Sequence, residues 1–335
     1  MLKIIDTEAW SDRYRRAAID VAGRRVLVTN YLGTDQEKDL AEPPNCKGFG
    51  RIRHFRRGGG EKWPLNPLPI DPARRALSLD DVSTIRAQVF QNAVCNWRCW
   101  YCFVPFNLLN ANKRHSEWLT PAQLIDLYLE DPDPPRIIDL SGGQPDLTPE
   151  WVPWMMDELR RRDLAQNVYL WSDDNLSNDY FWRYLTPADR QSIQAYPKYG
   201  RVACFKGIDR ESFKFNTAAD PQLYDQQFEL FRRFLELDLD IYAYVTFTTA
   251  DADAAKAALC DFVDRLQRIH RLLPLRTVPL EIWPFTPVQG RLTDEHRDAL
   301  TNQYAVAGYW REELARRFKP SELSADICDL RLTVN

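Results

Sequence analysis

The sequence predicts an α/β protein in which short strands and helices alternate over most of the chain. Six runs rich in β-branched and aromatic residues have the length and composition of strands, and they span 85–90, 136–140, 167–171, 201–206, 239–247 and 277–283. Helical patterns separate them, which implies parallel pairing through right-handed crossovers. Six β-α units are too few for an eight-stranded barrel. We therefore expect a partial barrel or a strongly curved open sheet, although a flat doubly wound sheet would give the same pattern.

Capping signals mark where several of these helices begin. Thr120, Thr148 and Thr186 each precede a proline, which is favoured at the first helical position, and a glutamine three residues on completes a capping box at Thr120. The spacing of apolar residues predicts two further helices, over 220–235 and 293–318.

The two ends of the chain do not follow this alternation. We therefore divide the sequence into an N-terminal extension, 1–82, a barrel-like domain, 83–290, and a C-terminal helix and tail, 291–335. The extension is expected to contain a small α/β unit, with a helix over 7–21 and a strand over 25–31.

The rest of the extension is rich in arginine, glycine and proline. Residues 47–57 combine aromatic residues with four arginines, Arg51, Arg53, Arg56 and Arg57, and a run of three glycines at 58–60 follows. This composition predicts a flexible basic loop, which either clamps a phosphate or acidic substrate or is a solvated turn. Four prolines within 63–72 then predict an extended linker or wrapping segment.

Composition limits the class of protein. The chain has 335 residues, 44% of them hydrophobic and 27% charged, which suits an ordinary soluble globular protein with a full core. The net charge of −4 argues against a generally nucleic-acid-binding surface. Because the first residues have no apolar signal core and no stretch approaches a membrane span, we expect a cytoplasmic protein with reduced thiols. Seven cysteines in that compartment suggest metal binding or catalysis before disulfides.

Three of the seven cysteines lie within eight residues, in C-N-W-R-C-W-Y-C. Cys95, Cys99 and Cys102 follow the first predicted strand, and a tight loop with this spacing can bring three thiols to one soft metal centre. A [4Fe–4S] cluster usually takes four thiolates, so three would leave one iron open for another ligand. The alternatives are buried thiols, a zinc site completed by His115, and an electron-transfer cluster with Cys46 as its fourth ligand.

The predicted strands end in polar or glycine-bearing residues, which gather at one rim if the strands are parallel. The pair Gly142–Gly143 lets a ligand approach the backbone, and Gln144 offers an amide oxygen to an ammonium group. Lys206 could meet a carboxylate, and the pair Asp173–Asp174 could take a ribose or a cation. A small zwitterionic ligand that carries a nucleoside fits this set.

These residues resemble the radical S-adenosylmethionine superfamily. Cys-x3-Cys-x2-Cys with an aromatic residue, Tyr101, before the last cysteine is similar to the cluster motif of that family. The run Ser-Gly-Gly-Gln-Pro at 141–145 is similar to its Gly-Gly-Glu-Pro motif, which holds the methionine amino group. The segments 172–175 and 204–209 resemble the third- and fourth-strand segments of the glycyl-radical-enzyme activases. The resemblance covers roughly residues 83–290 and implies a partial (β/α)6 TIM-like barrel.

The resemblance also implies cofactors and their contacts. Cys95, Cys99 and Cys102 would hold a catalytic [4Fe–4S] cluster, whose open iron would chelate S-adenosylmethionine. The residues implied at the S-adenosylmethionine site are Tyr101, Gly142, Gly143, Gln144, Pro145, Ser172, Asp173, Asn175, Lys206 and Thr246. Reductive cleavage would give methionine and a 5′-deoxyadenosyl radical, which takes hydrogen from a substrate. An external one-electron reductant, flavodoxin or ferredoxin, is implied.

The chain departs from the activase pattern in three ways. Gln144 replaces the usual Glu, which removes charge assistance from amino-group binding unless Asp146 compensates. Cys204 stands where the activases have Asp, and the N-terminal extension has no counterpart in them. Activation of a glycyl-radical enzyme is therefore the alternative, and the basic segment 47–57 favours a small polar metabolite over protein or nucleic acid as substrate. We expect 47–57 and 320–335 to cover the barrel mouth.

Overall fold

The computed structural model describes residues 4–58 and 62–332. The strands are β1 (Ile19–Asp20), β2 (Arg25–Thr29), β3 (Gly50–Arg56), β4 (Thr84–Phe90), β5 (Ser116–Leu119), β6 (Ile137–Leu140), β7 (Tyr169–Asp174), β8 (Tyr199–Phe205), β9 (Ile241–Val245) and β10 (Thr277–Pro279). Some predictions fall outside the described residues. They concern Gly59 and Gly60, two of the three glycines predicted to make the basic segment flexible, and residues 333–335 of the predicted tail.

Helices follow or separate these strands along the chain. They are α1 (Thr7–Ala18), α2 (Ile70–Leu77), α3 (Pro121–Leu129), α4 (Trp151–Arg161), α5 (Tyr180–Tyr184), α6 (Pro187–Gln194), α7 (Arg210–Thr217), α8 (Leu223–Leu235), α9 (Ala252–Ile269), α10 (Thr286–Gln289), α11 (Asp294–Arg317) and α12 (Pro320–Leu323). Among these helices, none combines the length and hydropathy that a membrane span requires.

A seven-stranded, mostly parallel sheet forms the centre of this mixed α/β fold. Its strand order is β10-β9-β8-β7-β6-β4-β3, and every neighbouring pair from β4 to β10 is parallel. All six segments predicted as strands overlap strands of this sheet. Since chain order and spatial order agree, the sheet curls in one direction into a half-barrel, which is consistent with a partial TIM-like barrel.

Apolar side chains cover both faces of the half-barrel. On the outer face, β-strand residues such as Leu140, Phe205 and Val245 pack in one cluster with residues of the surrounding helices. On the inner face, Trp171 and Tyr242 pack with apolar residues of α2. This two-sided burial explains why the strands of the parallel sheet are near-continuous hydrophobic runs in the sequence.

Residues 47–57, predicted as a flexible basic loop, are mainly strand. All seven residues of β3 pair antiparallel with β4 at one edge of the sheet. The guanidinium carbon of Arg51 lies 5.2 Å from the ring centre of Phe103, and that of Arg53 lies 4.1 Å from the ring centre of Phe55. The loop prediction is wrong because arginine stems can occupy strand positions that a simple pattern reserves for apolar residues.

A smaller antiparallel sheet, β1-β2-β5, pairs two strands of the N-terminal extension with β5, which belongs to the barrel-like domain. The helix predicted over 7–21 and the strand predicted over 25–31 are confirmed in outline by α1 and β2. The helix ends earlier than expected because Ile19 and Asp20 form β1, which pairs with Val26 and Arg25.

Two of the three threonine-proline signals start helices as predicted. Thr120 and Thr186 form capping boxes at α3 and α6. Thr148 does not cap α4, which begins at Trp151. The hydroxyl of Thr148 instead accepts a hydrogen bond from Asn92 at 2.9 Å, after a 3₁₀ turn over Pro145–Leu147.

Residues 63–69, just before α2, cross the open side of the half-barrel. The indole N–H of Trp63 donates to the carbonyl oxygen of Pro279, in the opposite edge strand β10, at 3.2 Å. The amide of Asn66 donates to the Tyr244 hydroxyl, also at 3.2 Å. These contacts place the proline-rich segment against the interior of the half-barrel.

The C-terminal tail lies at the end of the half-barrel opposite to the expected one. Asp329 pairs with Arg75 of α2 at 2.7 Å, and the Cys328 sulfur lies 3.6 Å from the Tyr242 hydroxyl near the start of β9. The prediction that the tail covers the mouth is therefore wrong for its described residues, because the acidic tail pairs with the arginines of α2 at the amino ends of the strands.

Candidate active site

The three clustered thiols line one cavity at the carboxyl ends of the parallel strands. Cys95, Cys99 and Cys102 all face this cavity, whose volume is about 360 Å³, within the range of small-molecule sites. The loop that carries them starts five residues after β4. It is closed by hydrogen bonds from the amide of Cys102 to the Cys99 carbonyl at 2.9 Å and from the amide of Cys95 to the Leu109 carbonyl at 3.1 Å.

Cations surround the thiols. Burial raises the pKa of Cys99 to about 12, and the neighbouring Lys206 opposes that rise. Burial also raises the pKa of Cys95, against the opposing charges of Arg98 and Lys206. Arg291 lies close enough to Cys102 and Cys99 for their charges to interact. For Cys95 and Cys99 the nearby cations offset part of the cost of burying a thiolate, which suits an anionic metal–thiolate centre.

The same residues do not form a site for a single metal ion. Within 4–58 and 62–332, no three His, Cys, Asp or Glu side chains converge closely enough to hold one ion. His115 does not line the cavity, and neither does Cys46, which is buried in the hydrophobic cluster on the outer side of the sheet.

The Gly142–Gly143 turn packs directly against the segment that leads into the cysteine loop. Both glycines have positive φ angles, +89° and +65°. A Cβ on Gly143 would lie 2.3 Å from the carbonyl oxygen of Asn92 and 2.5 Å from that of Val94. The turn therefore needs glycine for its own packing, and the packing holds it beside the thiols on the cavity wall.

Gln144 joins two strand ends by its side-chain amide. Its Oε1 accepts a hydrogen bond from the backbone N–H of Asn175 at 3.0 Å, and its Nε2 donates to Asp174 Oδ1 at 2.7 Å. Asp146, expected to compensate for the missing Glu, does not line the cavity. It pairs instead with the fully buried Arg201, which also donates to Asp174 at 2.9 Å. Compensation by Asp146 is therefore excluded in this arrangement.

Several other residues implied by the resemblance also reach the cavity. They are Tyr101, Asp173, Asn175 and Lys206. Ser141 donates to Asp173 at 2.5 Å, which fixes that carboxylate at the end of β7. The side-chain Nδ2 of Asn175 lies 3.8 Å from the sulfur of Cys95. The side-chain Oδ1 of Asn175 is buried and has no hydrogen-bond partner among the described residues.

Three of the implied residues do not line the cavity. Ser172 forms a 2.7 Å hydrogen bond with the Tyr199 hydroxyl behind the strand. Pro145 is buried at the start of a 3₁₀ turn. Thr246 touches the site indirectly, since its hydroxyl oxygen accepts a hydrogen bond from the Tyr101 hydroxyl at 3.3 Å.

Sequence reasoning missed much of the remaining wall of the cavity. This wall comes from the proline-rich segment, β9 and the residues after β10, and its members include Trp63, Asn66, Tyr244, Glu281, Trp283 and Phe285. Trp283 and Phe285 are exposed at 54% and 39%, which places them at the mouth. The residues at the end of the sixth predicted strand, Trp283 and Phe285, belong to the strand ends expected at the rim, whereas no motif marks the others.

Comparison with known proteins gives little further information. No family model matches the chain, and no curated protein matches it. Among solved structures, SuiB from Streptococcus suis bound to S-adenosylmethionine aligns at 15% identity and a TM-score of 0.35, over 52% of this chain and 36% of that one. SuiB bound to its precursor peptide SuiA aligns at 15% identity and 0.36, over 53% and 36%. The aligned region thus spans about a third of SuiB, and a TM-score of this size does not establish a shared fold.

Proposed function

We propose that this chain is a radical S-adenosylmethionine enzyme with a six-unit partial barrel. The observation that carries the proposal is the shared cavity: the three thiols of the Cys-x3-Cys-x2-Cys loop and the Gly142–Gly143 turn face it together, at the carboxyl ends of parallel strands. Motifs that resemble one family in sequence, and that also meet around one cavity, support the resemblance independently of any single motif.

Cys95, Cys99 and Cys102 are the proposed ligands of a [4Fe–4S] cluster. The spacing of the three thiols and the cations near Cys95 and Cys99 support a cluster at this loop. When bound, the cluster supplies the electron that cleaves S-adenosylmethionine to methionine and a 5′-deoxyadenosyl radical, which abstracts hydrogen from the substrate.

The residues of the rim bind and orient S-adenosylmethionine in this proposal. Lys206 attracts its carboxylate, and Asp173, held by Ser141, accepts hydrogen bonds from its ribose. The Gly142–Gly143 turn provides backbone contacts close to the thiols. Gln144 lies on the cavity wall, and its side-chain amide fixes the relative position of two strand ends. The walls of the cavity keep water away from the radical.

Activation of a glycyl-radical enzyme is the second candidate within the same chemistry. It is favoured by the positions of Asp173 and Lys206, which both line the cavity where the activase-like segments end. The lead proposal takes a small polar metabolite as substrate, flavodoxin or ferredoxin as reductant and the cytoplasm as location. Trapping a partner enzyme that acquires a glycyl radical would favour the activase instead.

Anaerobic reconstitution with iron and sulfide tests the proposal. The protein should take up about four irons, absorb as an iron–sulfur protein and, after reduction with dithionite, convert S-adenosylmethionine to 5′-deoxyadenosine. Cys99→Ala should lose both properties, while Cys260→Ala, a matched change on α9 outside the cavity, should keep both. Intact protein that never shows an iron–sulfur spectrum would refute the proposal.

A further inference from the structure

Two arginines hold the backbone of the cysteine loop, one at each end. Arg98 Nη1 donates to the carbonyl of Cys95 at 2.7 Å, and its Nη2 donates to the Tyr14 hydroxyl at 2.8 Å. Arg291, which follows α10, donates through Nη2 to the carbonyl of Cys102 at 2.8 Å. The loop is therefore tied to α1 at its start and to the C-terminal part of the chain at its end.

Arg291 differs from Arg98 in having a donor left over. Its Nε donates to the Pro287 carbonyl at 2.7 Å, while its Nη1 is buried and has no partner among the described residues. Both terminal nitrogens of Arg98 have acceptors. A buried guanidinium N–H without an acceptor is costly, so an acceptor supplied by a bound species would stabilise it.

The surroundings of Arg291 limit what that acceptor can be. The guanidinium carbon lies 4.0 Å from the ring centre of Phe106, so one face of the guanidinium is covered. The titratable groups close enough to interact with its charge are Cys102 and Cys99. Because Nη2 of the same guanidinium donates to the Cys102 carbonyl at 2.8 Å, the unused donor lies beside the last cysteine of the motif.

We infer that Arg291 donates a hydrogen bond to a sulfur of the metal–thiolate centre and makes its one-electron reduction more favourable. The inference rests on the proposed function. Hydrogen bonds to cluster sulfurs and nearby positive charge both stabilise the more negative, reduced state. In this proposal Arg291 acts on the reduction of the metal–thiolate centre and makes no contact with the substrate.

A redox titration followed by electron paramagnetic resonance tests the inference. Arg291→Gln should lower the equilibrium constant for one-electron reduction at least threefold, which at 59 mV per tenfold corresponds to about 28 mV. Arg291→Lys keeps the charge and should recover at least half of the shift. Arg297→Gln, a matched loss of an exposed cation in the first turn of α11, should leave the potential unchanged.

Raman spectroscopy of the iron–sulfur stretching bands provides a second measurement if Arg291→Gln does not take up a cluster. The shift of these bands in D2O should be smaller in Arg291→Lys than in the unmodified protein, since an ammonium group cannot reproduce the planar fork. Three results would overturn the inference. They are an equilibrium constant for reduction of Arg291→Gln within threefold of the unmodified protein, an equal shift of the potential in Arg297→Gln, and a deuterium shift in Arg291→Lys equal to that of the unmodified protein. Absence of any cluster in the unmodified protein would instead overturn the proposed function.

Discussion

Replacing Gln144 by the Glu typical of the resembled motif should destabilise this protein. The Nε2 of Gln144 donates to Asp174 at 2.7 Å, and both side chains are buried. A Glu in the same place would put two carboxylates in contact. Two unit charges at that distance repel by about 6 kcal/mol at an effective dielectric constant of 20. Arg201 already balances two carboxylates, Asp146 and Asp174, so it cannot offset a third.

Protonation of the new carboxyl costs less than this repulsion. Holding a Glu of ordinary pKa 4.3 neutral at pH 7 costs about 3.7 kcal/mol, and at pH 5 about 1 kcal/mol. The protonated carboxyl of the Gln144→Glu variant imitates the native amide, since its O–H can donate to Asp174 while its other oxygen accepts from the Asn175 amide. The folded-state pKa is therefore raised. The variant should match the unmodified protein below about pH 4.3 and lose stability as the pH rises towards the folded-state pKa.

Urea unfolding at pH 5 and pH 7 measures the effect. Gln144→Glu should lower the free energy of unfolding by about 3–4 kcal/mol at pH 7 and by about 1 kcal/mol at pH 5. Gln123→Glu is the matched control, because Gln123 is exposed and serves the Thr120 capping box, where a Glu is equally suitable. A loss at pH 7 no larger than that of Gln123→Glu, or one independent of pH, would refute the reasoning.

Three further predictions concern the same rim. Gly143→Ala should lower the melting temperature and cluster uptake, because the added methyl meets two backbone oxygens, while Gly290→Ala, with open space around it, should change neither. Arg201→Gln should cost about 3–5 kcal/mol in urea unfolding at pH 8, and less as the pH falls, because burial raises the pKa of Asp146 to about 7 and protonation removes the uncompensated charge. Lys206→Met should weaken S-adenosylmethionine binding about 10- to 100-fold, as measured by calorimetry. It should not lower the free energy of unfolding, since no carboxylate forms an ion pair with Lys206 among the described residues. A loss of stability as large as the loss of binding free energy would contradict this.

The sheet was predictable because burial on both faces makes parallel strands near-continuous apolar runs. All six predicted runs overlap strands, and Thr120 and Thr186 start helices by local capping, which depends only on neighbouring residues. The edge strand β3 was not predictable in this way, because four arginines occupy positions in and just after it. Its register depends on β4, about thirty residues later in the chain, and sequence spacing carries no information about such a pairing.

The site was predictable only to the level of strand ends. Parallel strands bring their carboxyl ends to one edge, so the Cys, Gly-Gly, Asp and Lys segments meet. Which side chain faces inward follows the two-residue period. Asp173 lies on the cavity side, while Ser172 bonds behind the sheet and Asp174 joins Arg201. The partners of Gln144 depend on how two loops meet, and no local pattern records that.

The two-residue period of a strand also explains why the Cys204 thiol lies beside Lys206. Cys204 and Lys206 are two residues apart at the end of β8, and both line the cavity. Burial lowers the pKa of Lys206, but the neighbouring Cys204 and Tyr101 raise it well above its usual value. The resembled activases have an Asp at this place, which would offer the lysine a permanent counter-ion. Because burial raises the pKa of the Cys204 thiol, Cys204 is a weaker counter-ion than Asp, and more of the Lys206 charge stays available for a carboxylate from a ligand. A cationic pocket of this kind binds its ligand more strongly but costs more to bury in the empty protein.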